Sequence, residues 1–504
     1  MTAHLFHGLL GGVADHGKTC LESPDGRTLT YGALLRGTAR FAHALVEHGL
    51  RPGDRLAVQV EKSPEAIMLY LAAARMGAIF LPLNTAYTDA ELAYFIEDAE
   101  PGLVVVSPDR REGLENVARQ HHARLATLDA QGGGSLSESA RGQSAEFADV
   151  ERGPEDLAAL LYTSGTTGRS KGAMLTQENL LSNARVLAHT WRFTADDVLL
   201  HALPIFHTHG LFVATNVVLV AGASMLFLPK FDAGEVLRLM PQATSLMGVP
   251  TFYVRLLQHP DLNAESTRHI RVFISGSAPL LAETHRAWST RTGHAILERY
   301  GMTETNMNTS NPYDGDRIPG TVGFPLPGVA LRIAEPESGR VLPRSETGMI
   351  EVKGPNVFKG YWRNPVKTQA EFRPDGFFIT GDLGKIDERG YVHIVGRGKD
   401  LIISGGYNVY PREVESEIDA LPGVVESAVI GVPHSDLGEG VTAVIVRAEK
   451  AIDEATIHHR LKSKLAGYKL PKRVIFVADL PRNAMGKVEK NRLREIYRDV
   501  YRRD

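Results

Sequence analysis

Residues 156–175 read DLAALLYTSGTTGRSKGAML, and the rest of the chain is organised around what this stretch requires. Apolar runs at 157–162 and 173–175 enclose Thr163, Ser164, Gly165, Thr166, Thr167, Gly168, Arg169, Ser170, Lys171 and Gly172. Glycines let a backbone curl its N–H groups into a concave anion nest, and the hydroxyls and Lys171 add donors and positive charge. The pattern predicts a loop that holds phosphate, followed by a short second strand over 173–175. A plain hairpin tip needs neither a lysine nor a row of hydroxyls.

Two other patterns compete with this loop. Gly168-Arg-Ser170-Lys-Gly172 fits a G-x-S-x-G nucleophile elbow, but that serine must sit on a strand-to-helix turn, and a strand is expected next. Gly12-Val-Ala-Asp-His-Gly17-Lys18-Thr19 matches the P-loop consensus. A P-loop follows a buried strand and opens a helix; here a short amphipathic helix precedes it and Pro24 follows closely. A regulatory NTPase using Gly12 to Thr19 is therefore the disfavoured alternative.

Composition narrows the class. With 504 residues, about three domain-sized units are expected. The 56 Lys and Arg nearly balance 59 Asp and Glu, for a net charge of −3. That balance argues against a nucleic-acid or membrane-surface protein. One cysteine, Cys20, excludes internal disulfides and cysteine metal sites and fits a reducing cytoplasm. The apolar stretch 211–228 contains Thr215, Asn216 and Gly222, so it reads as a buried helix and strand.

Outward from the loop, helices and strands alternate. Thr30, Ser63, Thr88 and Thr176 are expected N-caps, with Leu34, Leu35, Ala42, Leu45 and Val46 facing inward on the first of these helices. Strands are predicted over 55–60, 78–83, 103–106 and 272–275, which implies a mostly parallel sheet with helices on its faces. Residues 131–143, rich in Gly and Ser, read as a surface loop. From 320 to 394, short strands with Gly and Pro turns suggest a small β-barrel. The segment after Gly396 carries enough elements for an independent α+β domain of about a hundred residues.

Three later stretches repeat the theme of short polar loops after apolar runs. Tyr300-Gly301-Met302-Thr303-Glu304 offers a ring, a hydroxyl and a carboxylate. Thr380-Gly-Asp382 sets a carboxylate in what reads as a tight turn. Pro481-Arg-Asn-Ala-Met-Gly486-Lys487 sets a lysine behind a glycine. Each alone is more commonly structural; their order together with the anchor loop is specific.

Taken together, YTSGTTGRSKG, LPIFHTHG, YGMTET, TGD, GRGKDLIISGGYNVYP and PRNAMGK resemble the acyl-adenylate-forming superfamily over essentially the whole chain. Within it, GVPTFYVRLL, ISGSAPL and ERYGMTETNMNTSNPYDGDR are similar to malonyl-CoA synthetases. The resemblance implies an α/β fold: a large N-terminal domain (1–396) of two α/β subdomains plus a small β-barrel, and a smaller mobile α+β domain (397–504) hinged near Lys399. Thr163, Ser164, Gly165, Thr166, Thr167, Gly168 and Lys171 would cradle the phosphates of ATP. Tyr300 would lie against adenine with Gly301 and Met302 also at the ATP, Asp382 and Arg397 would bind the ribose, and Glu304 would hold Mg²⁺ beside Thr303; Thr303, Glu304, His207 and Lys487 would be catalytic.

Lys487 would reach the α-phosphate and the attacking carboxylate, and Gly405 and Gly406 would pass the pantetheine arm of CoA. Arg255, Ser277 and His207 match acid-pocket positions; a solvent-facing helix arginine is the alternative for Arg255. His209 is left unassigned, since a histidine pair without a third ligand makes a poor metal site. The implied reaction joins malonate, or methylmalonate or another short or medium-chain acid, to CoA with release of AMP and pyrophosphate. A monomer or weak dimer is expected, and a lysine acetyltransferase acting on Lys487 would remove the charge that adenylation needs.

Overall fold

The computed structural model describes residues 3–163, 170–404, 407–434, 436–448, 452–462, 464–465, 467–483 and 486–501. Local capping sets the helices. Thr30, Ser63, Thr88 and Thr176 each accept a backbone N–H from the first turn of the following helix, and the last two form complete capping boxes. The helix Pro64–Met76 ends at Gly77, whose φ of 78° is a conformation that only glycine adopts freely. Its sides are buried nearly all round, which suits a helix clasped between two sheets.

Among the described residues, seven strands form the first large sheet, in the order Gly360–Tyr361, Lys171–Thr176, Leu157–Thr163, Ile79–Pro82, Arg55–Gln59, Leu103–Val106, Arg124–Thr127. The last five run parallel. Lys171–Thr176 folds back antiparallel, so that Thr163 and Lys171 face each other across the anchor loop. Ser170 thus leads into a strand, not a helix, and the nucleophile-elbow pattern is incidental.

A nine-stranded sheet forms the second layer system. Its parallel centre comprises Val198–His201, Ser224–Phe227, Ser245–Gly248, Val272–Ser275 and Leu297–Met302. One continuous apolar core unites both sheets with the helices between them. Four antiparallel strands follow, Ala330–Ala334, Gly348–Lys353, Phe378–Ile386 and Val392–Arg397. Val392 exchanges backbone hydrogen bonds with Val322 and Gly323, which joins this small sheet to the larger body. After the short 3₁₀ turn Gly398–Asp400, a separate sheet built on the hairpin of Val424–His434 and Gly438–Arg447 carries its own core.

Two local expectations change, and the disfavoured P-loop stays disfavoured. Within 131–143 lies the helix Ser135–Arg141, with Leu136 and Ala140 buried; one i,i+4 apolar pair is enough to hold a turn against the helix Tyr31–Glu47 that the glycine-rich context hid. Val46 points outward, 50% exposed. The P-loop pattern opens no helix: Thr19 starts the strand Thr19–Glu22, and Lys18 donates to the carbonyls of Ala195 and Gly222.

Candidate active site

The short turn between the antiparallel strands Leu297–Met302 and Asn306–Ser310 carries Thr303 and the buried Glu304. A Cβ at Gly301 would meet the Asn306 carbonyl oxygen at 1.9 Å, so the hairpin closes this tightly only with glycine there. Met302, Gly301 and Thr303 are half-buried beside the turn. Thr163 donates from its hydroxyl to Glu304 Oε1 at 3.3 Å, and Tyr361 donates to the same oxygen at 3.1 Å. Burial holds the Glu304 carboxyl above its usual value.

Lys171 reaches the same cluster. Its Nζ lies 5.3 Å from the Tyr361 ring centroid; burial and then Lys367 lower its pKa, opposed by Glu371 and Glu304. Thr163, Lys171 and Glu304 therefore meet at one mouth, as the sequence required. Ser164, Gly165, Thr166, Thr167 and Gly168 lie outside the described residues, as do Gly405 and Gly406.

A second group lies on the small sheet. Asp382 and Arg397 are cross-strand partners joined by an ion pair of 2.8 Å, and Tyr300 donates to the other Asp382 oxygen at 2.6 Å. Asp382 is thus mid-strand, with Gly381 at φ 74° bending the chain, rather than in a tight turn. Asp382 raises the Arg397 pKa.

From the C-terminal domain, Lys487 enters between these groups. It keeps solvent-exposed surface, yet burial and Arg397 lower the pKa of its ammonium, while Asp382 and Glu304 oppose the shift. Its turn is fixed by Asn483, whose side chain accepts from Lys487 N at 3.0 Å, and by Gly486 at φ 75°. Lys399 is exposed in the 3₁₀ turn between domains, and its neighbour Asp400 pairs with Arg494 of the last helix at 2.7 Å.

Near Lys487 lies a cluster of buried polar side chains. His207 Nδ1 accepts from Thr208 N, which leaves its proton on Nε2, and that buried atom has no partner among the described residues. Burial, Lys487 and Arg299 push its pKa down to about 3, so the ring is neutral. Ser277 faces His209 Nδ1 at 3.1 Å and holds φ at 71°, a strained conformation for a serine of the kind that clusters at functional sites.

The sequence reading missed Arg299. This residue is 3% exposed, and its Nε and Nη2 have no hydrogen-bond partner among the described residues. Its Cζ would be 2.4 Å from a Cβ at Gly276, so the guanidinium lies against the backbone that leads into Ser277. Burial pushes its pKa down to about 9. Such a cation awaits an anion. The adjacent charges Glu298 and Arg299 between apolar Leu297 and Tyr300 were the available signal. Arg255 is exposed on the last turn of the helix Pro250–Gln258, with no ion pair or hydrogen bond among the described residues.

Comparison with known proteins agrees with this layout. A family model described as AMP-binding enzyme matches residues 13–362, and one described as AMP-binding enzyme C-terminal domain matches 413–487. A malonate–CoA ligase of Arabidopsis thaliana is 34% identical over 520 residues, covering 94% of this chain and 85% of that protein. The ATP-bound crystal structure of MatB from Rhodopseudomonas palustris superposes with a TM-score of 0.98 at 64% identity, over 100% of both chains. The apo form of MatB superposes with a TM-score of 0.87 at the same identity, so the arrangement seen here is that of the ATP-bound relative. With the first matched region holding Lys171, Tyr300 and Glu304 and the second ending at Lys487, the chain belongs to the AMP-binding enzyme family.

Proposed function

We propose that the protein is an ATP-dependent malonate:CoA ligase, which forms malonyl-CoA, AMP and pyrophosphate through a malonyl-adenylate. One observation carries the choice of acid: the buried, unpartnered guanidinium of Arg299 beside Ser277 and His209, which suits an acid that brings a second carboxylate. A monocarboxylate would leave that charge uncompensated. The malonate–CoA ligase relative supports the same reading.

In the first half-reaction, a malonate carboxylate oxygen bonds to the α-phosphorus of ATP and the bond to pyrophosphate breaks. Both reactants are anions, so the rate depends on positioning and on positive charge where negative charge develops. Lys171 and Lys487 supply that charge from opposite domains, and the neutral His207 offers its Nε2–H to an acceptor oxygen. Tyr300 and the Asp382–Arg397 pair fit the nucleoside.

Mg²⁺ fits the oxygen-rich mouth formed by Glu304 and Thr163, where it would neutralise phosphate charge. In the second half-reaction, CoA sulfur bonds to the malonyl carbonyl carbon, AMP leaves and the thiol proton is released. Lys487, held for the first step, would obstruct that attack, which gives the C-terminal domain reason to rotate. Gly405 and Gly406 remain the expected passage for pantetheine. The reading carries with it a cytoplasmic location, a monomer or weak dimer, and silencing when a lysine acetyltransferase modifies Lys487.

The test is CoA-dependent AMP release across malonate, methylmalonate, succinate, acetate and butyrate. Malonate is expected to give the highest kcat/KM, with AMP and pyrophosphate as products. Release of ADP and phosphate would overturn the reaction, and equal rates with acetate would overturn the acid.

A further inference from the structure

Lys62 lies outside the machinery described so far. It follows the strand Arg55–Gln59 and precedes Ser63, the cap of the next helix. Its Nζ donates to the His201 carbonyl at 2.8 Å, faces His201 Nδ1 at 3.0 Å and sits 4.2 Å from the Phe227 ring centroid. Among the described residues no carboxylate pairs with it. A lysine placed so is held as a hydrogen-bond donor rather than as half of an ion pair.

His201 is fully buried at the end of the strand Val198–His201. With Nδ1 accepting from Lys62, its proton must sit on Nε2, which points at the Gly210 carbonyl oxygen at 2.9 Å. Thr215 donates its hydroxyl to that same oxygen at 2.9 Å. Gly210 is thereby gripped from two sides.

The place gripped is unusual. Residues His209–Thr215 form a π-helix, a wide-turned element that is rare and concentrated at functional sites. A Cβ at Gly210 would lie 1.9 Å from the Pro204 carbonyl oxygen, so this residue is pressed against the preceding loop. The adjoining His209 presents Nδ1 to Ser277, and His207 lies one residue before the π-helix cap. Any slack at the Gly210 carbonyl is passed directly to the two histidines that face the acid pocket.

We infer that Lys62 and His201 are positioning residues for the acid pocket: the line Lys62, His201 Nδ1, His201 Nε2–H, Gly210 carbonyl fixes the first turn of the π-helix and thereby the angle at which His209 meets Ser277. The inference rests on the reading of that region as the wall around the acid. Its chemistry requires a neutral His201, since a second ring proton would point at the Lys62 nitrogen. Burial and the neighbouring Lys62 hold the His201 pKa well below the usual histidine range.

The experiment compares His201→Gln with His201→Phe in the full-length protein. A glutamine amide nitrogen can take the place of Nε2–H and keep the donation to Gly210, whereas phenylalanine fills the space without it. His201→Gln is expected to keep malonate kcat/KM within about threefold, and His201→Phe to lose about tenfold or more, chiefly as a rise in the KM for malonate. The KM for ATP should stay within about twofold in both. Lys62→Met should follow the phenylalanine variant, and Lys62→Gln, which retains a donor, should be milder; this pair decides the matter if His201→Phe does not fold.

Equal effects of donor-keeping and donor-lacking variants, or a loss shared equally by malonate and ATP, would overturn the positioning role. Should the wild-type enzyme prefer another acid, the functional reading fails, and the same variant comparison run on that acid still decides the inference.

Discussion

Arg299 and Arg255 differ in one physical respect, burial, and on the proposed reading it is the buried arginine that meets the distal carboxylate. A guanidinium in the pocket without a partner destabilises the free protein, and a carboxylate that reaches it relieves the strain. Arg299→Met is therefore expected to raise the melting temperature of the unliganded protein while the malonate-to-acetate ratio of kcat/KM falls about a hundredfold. Arg255→Ala, an exposed truncation, should change that ratio by less than about threefold. Steady-state kinetics and a thermal melt check both, and the reverse ranking would return the distal carboxylate to Arg255.

At the scale of elements, the start of the strand Lys171–Thr176 has a partner outside its own hairpin. Tyr94, on the helix Asp89–Ala99, donates its hydroxyl to the Ser170 carbonyl at 2.7 Å, at the point where the loop rejoins its strand. Tyr94→Phe loses one neutral hydrogen bond, about 1 kcal/mol, so the KM for ATP should rise about fivefold if the loop alone feels it. An unchanged KM would show that the hairpin needs no such anchor.

The strand Leu297–Met302 carries a different burden at Glu298. This carboxyl is 5% exposed, accepts from Leu280 N through Oε1, and leaves Oε2 without a partner among the described residues. Burial raises its pKa from 4.5 to about 7. Because the folded form holds the proton more tightly, its stabilising contribution is full below pH 4.5 and is lost as pH rises through about 7. Glu298→Gln keeps the bond from Leu280 and removes the ionisation. The variant should match the parent in unfolding free energy, measured by urea titration, near pH 5 and exceed it near pH 8, by about 1–2 kcal/mol.

Across the whole molecule, the two domains meet with Lys487 near Arg397, Asp382 and Glu304 and with Asp400 paired to Arg494 across the junction. The higher TM-score to the ATP-bound relative than to its apo form matches that arrangement. Lys487→Ala should slow malonyl-adenylate formation by roughly 10²–10³, because the cation is lost where charge develops. Thioester formation from supplied malonyl-adenylate should be nearly unchanged, since that step proceeds with the lysine rotated away. Parallel losses in both half-reactions, measured separately, would contradict this division of labour.

Much of this was legible in one dimension. The caps at Thr30, Ser63, Thr88 and Thr176 and the strands on either side of the loop follow from short-range chemistry, a hydroxyl before a helix and apolar runs, whereas the meeting of Thr163 with Glu304 was expected only through the family resemblance. The sequence by itself therefore determined the elements, their order and the nucleotide motifs. The tertiary structure alone decided which arginine is buried, that Asp382 sits mid-strand against Arg397, and that Lys62 holds Gly210 through His201. Those outcomes depend on solvent exclusion and on contacts between residues far apart in the chain, and neither is set by any residue's near neighbours.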